Sequence, residues 1–85
     1  MKTFKDLEFK PHSIGNGLQG RMDFDNDYGV SVVKFDGSYG FPNLWEVAII
    51  YKGSLTYNTY ITDDVLGCQT EQDVTDVMKK VQALI

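Results

Sequence analysis

The run Asp-Phe-Asp-Asn-Asp-Tyr-Gly at 23–29 is the part of this chain that most resembles chemistry. Carboxylates at alternate positions are how an EF-hand loop supplies its first calcium ligands. That loop then needs glycine at position six and a bidentate glutamate at position twelve. Counted from Asp23, the first, third and fifth positions fit. The sixth is Tyr28, with Gly29 one place late, and the twelfth is Lys34, a cation where a carboxylate is required. Helical patterns on either side are also missing. A turn accounts for the same residues. Asp23 and Asp25 fall on the polar face of a strand whose other face carries Met22 and Phe24, and Asn26, Asp27 and Gly29 tolerate bent or left-handed backbone.

Other candidate chemistry is sparse. His12, the one histidine, precedes Ser13, and neighbours on an extended chain point opposite ways, so they cannot act as base and nucleophile directly. Cys68 is the one cysteine, which rules out an intrachain disulfide and fits a reducing compartment. A lone His and a lone Cys give no metal-ligand spacing, and Cys68 reads as a small, semi-buried packing residue. The glycines at 15–17 and 37–40 lack the Lys-Ser/Thr of a phosphate loop and open no helix. A hairpin tip is wet, so its aspartates lack the enclosure that acid–base catalysis uses. These residues predict a protein that is not an enzyme, with no cofactor and no metal.

The elements that would position any site follow from pattern. Eighty-five residues make one domain, spanning 1–85, and 42% hydrophobic content is too high for disorder. Turn signals fall at 14–17, 25–29, 36–43 and 52–54. Between them lie strand-length segments: 18–24, 30–35, 44–51, and 55–61, where Leu55, Tyr57, Thr59 and Ile61 alternate. Connections this short leave no room for helical crossovers, so the strands form an antiparallel meander. From Thr70 the period changes: Val74, Val77, Met78, Val81 and Leu84 make one helical stripe. Thr70 is the N-cap with Asp73 three residues on, a variant capping box. Residues 61–70, with Thr62, Asp63 and Asp64, read as a short helical turn ended by Gly67. The predicted fold class is α+β: an antiparallel sheet of four strands, or five, with one C-terminal helix packed on one face.

One helix covers one face, yet the 44–51 strand is apolar on both. Trp45, Val47, Ile49 and Tyr51 alternate with Leu44, Ala48 and Ile50, interrupted only by Glu46. The second face needs a cover. The N-terminal segment, with Phe4, Leu7 and Phe9, is one candidate; a partner protein or a second copy of the chain is another. The glycine-rich 37–45 segment is the second functional clue, because exposed aromatics on loops are common interface anchors. Tyr39, Phe41, Trp45 and Tyr60 are the candidate protein-binding residues.

Twelve acids against eight bases, and a pI near 4.6, exclude a general nucleic-acid binder. The acids are scattered, which weakens the opposite reading, an acidic nucleic-acid mimic. Residues 1–10 lack the ~7–15-residue apolar run of a signal peptide, and no stretch reaches the ~18 apolar residues of a membrane helix, so no membrane role is expected.

The stretches GLQGRMDFDNDYGVSVV at 17–33, ITDDVLG at 61–67 and TEQDVTDVMKKVQAL at 70–84 resemble a family of short tailed-bacteriophage proteins with no activity attached to it. The resemblance spans most of the chain. It implies expression in the host cytoplasm and a non-enzymatic accessory protein that binds a host protein, such as a defence or regulatory factor. The alternative is a structural or assembly component of the phage, acting through a homo-oligomeric sheet face, for instance as a homodimer. If 23–29 is a turn, added calcium should leave the melting temperature unchanged, and Asp25→Asn should move it by no more than a degree or so. A calcium-dependent rise would restore the ligand reading.

Overall fold

The fold is seen in a computed structural model that describes residues 1–12 and 16–85. The turn expected at 14–17 lies largely outside the described residues, as does Ser13; Asn16 has a positive φ of 51°. Among the described residues, six strands and one helix follow a 3-10 turn at Phe4–Asp6: β1 Phe9–Pro11, β2 Leu18–Asp23, β3 Tyr28–Lys34, β4 Trp45–Tyr51, β5 Ser54–Leu55, β6 Leu66–Gln69 and α1 Glu71–Gln82. All pairings are antiparallel, in the order β1-β2-β3-β4-β5, with β6 also on β4. The far edge of β4 is thus shared: β5 pairs with Ile50 and Tyr51, β6 with Trp45 and Val47.

The predicted fold class stands, with two strands added and two segments corrected. The strand expected over 55–61 ends at Leu55, and the helical turn expected before Gly67 is irregular chain leading into β6. Tyr57 explains the first error. It alternates with Leu55, Thr59 and Ile61, yet both it and Leu55 are exposed, so the alternation from Leu55 to Ile61 does not mark a sheet face. Gly67 explains the second. A Cβ there would come 2.5 Å from the Cβ of Tyr39, so this glycine serves a close approach of the 36–44 connection to β6 and does not end a helix.

The helix forms as its sequence dictates. Thr70 Oγ1 accepts from the Asp73 N–H at 3.1 Å, and the Asp73 carboxylate accepts from the Thr70 N–H at 3.0 Å. Val74, Val77, Met78 and Val81 are buried against Val30 and Val32 of β3 and Val47 and Ile49 of β4. The N-terminal segment joins this same side. Phe4, Leu7 and Phe9 pack into the helix-side core, so the proposed cover of the second face is corrected. The reason is register. Phe9 pairs with Gly20, whose position on β2 points to the helix side, and its ring fills the space where a Cβ would sit at 2.9 Å. The Phe4 N–H donates to Thr75 Oγ1 at 3.1 Å, and the Gln82 side-chain amide exchanges two 2.8 Å bonds with the Lys2 backbone.

The 23–29 run is a turn, as expected, with Asp27 at φ 71°. It also does something its sequence did not announce. Asn26 Nδ2 donates to the carbonyls of Val81 and Leu84 at 2.9 Å each and of Gln82 at 3.3 Å. Its Oδ1 accepts from the Tyr28 N–H at 3.2 Å. The last carbonyls of a helix have no partner within it, so this side chain caps α1 from the tip of the β2–β3 hairpin. Asn26→Ala should therefore lower stability by about 1–3 kcal/mol. Asn26→Asp should cost at least as much, because a carboxylate would face the negative helix end. Urea unfolding at unchanged slope checks both; a shift below a few tenths would show that water caps the helix equally well.

Candidate protein-binding surface

Strand register sets the second face. One row across it is Lys10, Gln19, Val33 and Glu46; the next is Arg21, Ser31 and Ala48; the third is Asp23, Gly29, Ile50 and Leu55. Neither α1 nor the N-terminal segment lies on this side. What results is a shallow groove of about 300 Å3, with Val33, Ala48 and Ile50 among the residues that line it. Gln19 Nε2 donates to Ser31 Oγ at 3.0 Å. Arg21 reaches across the strands to the Gly53 carbonyl at 3.3 Å, and its contact with the Asp23 carboxylate is long, 3.8 Å. The His12 ring stacks on Phe35 at 4.5 Å. Leu55 is 55% exposed at the groove's edge.

The aromatic candidates divide. Tyr39 is 66% exposed, Phe41 41% and Tyr60 77%. Trp45 is 6% exposed and is corrected from a surface anchor to a core residue. It shares the helix-side parity of Val47 and Ile49 and packs between Phe4 and Phe9, ring centroids 5.4 and 4.6 Å away. The Lys34 ammonium lies 4.0 Å from its ring centroid. Cys68 is likewise corrected: it is exposed, at φ 56°, and not semi-buried.

Tyr39 and Phe41 sit on a connection whose backbone is tied down. The buried Ser38 hydroxyl donates to the Phe35 carbonyl at 2.8 Å and accepts from the Phe35 N–H at 3.0 Å. The Tyr39 N–H donates to Glu46 Oε1 at 3.1 Å, and the Tyr39 carbonyl accepts from the Cys68 N–H at 3.2 Å. The Leu44 N–H closes the segment on the Gly40 carbonyl at 2.9 Å. Tyr57 and Tyr60 lie on the connection that enters β6 from the other side. Sequence reasoning missed Arg21, Glu46 and Leu55 as surface features. The alternation of β2 with β4 could have placed the two charges on one face, but only once register was known.

A second concavity, about 600 Å3, lies between the N-terminus and the β2–β3 tip, and brings Asp6 to Asp23 and Asp25 beside Met22 and Phe24. Among the described residues, no group of three or more His, Cys, Asp or Glu is arranged to hold a metal ion. No described helix is long and apolar enough to cross a membrane. No family model, curated protein or solved structure matches the chain.

The division of the aromatics is testable by stability. Trp45→Ala should cost about 3–5 kcal/mol, enough to unfold most of a small domain. Tyr60→Ala should stay within about 0.5 kcal/mol. Thermal melts followed by circular dichroism separate the two, and a mild Trp45→Ala would return that residue to the surface.

Proposed function

We propose that this chain is a non-enzymatic accessory protein of a tailed bacteriophage that binds a host protein in the host cytoplasm. The observation that carries the binding reading is the pair Tyr39 and Phe41, exposed on a connection held by the Ser38, Tyr39 and Leu44 hydrogen bonds. Large exposed aromatics supply contact area with few rotors to freeze, and a pre-ordered loop lowers the entropy lost on association. Tyr60, on the other connection flanking β6, adds a third aromatic. The phage and host assignments rest on the family resemblance; the aromatic surface supports a binding role without naming the partner.

Tagged protein incubated with host lysate should retain one stoichiometric host protein. Tyr39→Ala and Phe41→Ala should each weaken that capture about tenfold, the effect of losing ~1.4 kcal/mol at a hot spot. Equal capture by both variants would remove these residues from the interface. Capture that disappears at raised salt would instead favour the acidic-mimic reading. Finding the chain in purified particles would favour the structural one.

A further inference from the structure

The two connections that carry the exposed aromatics share a charge pattern. Residues 36–44 hold Asp36 with Tyr39 and Phe41. Residues 56–65 hold Tyr57, Tyr60, Asp63 and Asp64, and neither connection contains a lysine or an arginine. Asp36, Asp63 and Asp64 are exposed, and none has an ion-pair partner among the described residues. The cations that flank these connections are engaged elsewhere. Lys34 lies 4.0 Å from the Trp45 ring centroid, and Lys52, at the β4–β5 hairpin, lies 5.4 Å from that of Tyr51.

Strand β6 brings the two connections together. The Tyr39 side chain rests against Gly67, and the Tyr39 carbonyl accepts from the Cys68 N–H at 3.2 Å. Asp64 stands three residues before Gly67, so their Cα atoms are within about 10 Å of each other. Asp64 is also held in place. Its carbonyl accepts from Thr62 Oγ1 at 3.0 Å, and its Oδ1 accepts from the Val65 N–H at 2.7 Å, which leaves Oδ2 for a ligand.

From this juxtaposition we infer that the partner of the Tyr39–Phe41 surface engages it through exposed arginine side chains. The inference rests on the binding role proposed above and adds the chemistry of the partner. A guanidinium is planar: its face stacks on a tyrosine ring, and its N–H edge pairs with a carboxylate. An ammonium has neither the plane nor the fork. Rings and carboxylates on adjoining connections therefore suit arginine better than lysine, and the uncompensated carboxylates repel an acidic partner. The hairpin-tip aspartates provide an internal control. Asp23 and Asp25 neighbour Asn26, which is bonded to the C-terminal end of α1, whereas Tyr39 lies on β6, which leads into the N-terminal end of that helix.

Fluorescence anisotropy of a short labelled peptide of alternating Gly and Arg tests the inference, beside the matching Gly-Lys peptide, at ~150 mM salt. The Arg peptide should bind at least about fivefold tighter than the Lys peptide. Tyr39→Ala, and the double change Asp63→Asn with Asp64→Asn, should each weaken its binding about tenfold. Asp23→Asn with Asp25→Asn removes the same net charge and should change it less than about twofold. Tyr39→Ala keeps the Cβ that touches Gly67, and Asp64→Asn keeps an oxygen for the Val65 N–H, so these variants should melt as the wild type does by circular dichroism. No binding up to ~1 mM, equal affinity for the two peptides, or equal losses from the two aspartate pairs overturns the inference. Host-protein capture separates this failure from that of the binding role. Where Tyr39→Ala loses the host protein but the Arg peptide does not read the loop, the binding surface stands and the arginine assignment falls.

Discussion

A single helix can shield only one side of a sheet, and that constraint organises the molecule. The stripe Val74, Val77, Met78 and Val81 has β3 and β4 as its main apolar support, and their helix-side residues are buried by it. Residues 4–9 are the apolar segment that the sequence offers as a second cover, and the pairing of Phe9 with Gly20 sends them to the side already occupied. The N-terminal aromatics therefore extend the core around Trp45, while on the opposite side Val33 and Ile50 are buried beside Phe35, Leu55 and Val65 of neighbouring segments. The apolar content of β4 on both faces is then a matter of folding, since Ile49 on one side and Ile50 on the other are both buried.

Side-chain amides and hydroxyls do the fastening. Asn26 holds the hairpin tip to the helix end, Gln82 holds the N-terminal backbone, and Thr75 holds the 3-10 turn. Each satisfies backbone groups that regular structure leaves open, which is how a thin core can still specify one arrangement. The same device stiffens the 36–44 connection through Ser38 and Glu46. A small domain with little apolar area to spend fixes its geometry with polar contacts at its margins.

What the sequence disclosed was local. The capping box and stripe of α1, the β2–β3 turn and the three strand segments at 18–24, 30–35 and 44–51 are written in nearest-neighbour chemistry, since Thr70 and Asp73, or Asn26 and Asp27, act within a few residues. What it concealed was long-range. The partners of Asn26 lie 55 and more residues away. Gly67 reads as a helix stop until Tyr39 is seen resting against it. Trp45 looked like part of a glycine-rich loop because strand parity, not its neighbours, decides which way it points. The side taken by the N-terminal segment depends on register, which no run of residues states. Of the candidate surface, Tyr39, Phe41 and Tyr60 were legible as aromatics in turn-rich stretches, but their exposure shows only in the fold. That Arg21 and Glu46 share a sheet face shows only when three strands are laid side by side.

The reach of Asn26 has a consequence for how the native state comes apart. In most helices the final turn frays by itself, exchanging amide protons independently of the rest of the fold. Here the last turn of α1 is bonded to the hairpin tip, so neither can loosen while the other holds. Asn26 and residues 81–84, 55 and more residues apart in sequence, then form a single cooperative opening unit. The rim of the molecule that looks most like a loose end inherits the stability of the central strands to which the hairpin belongs.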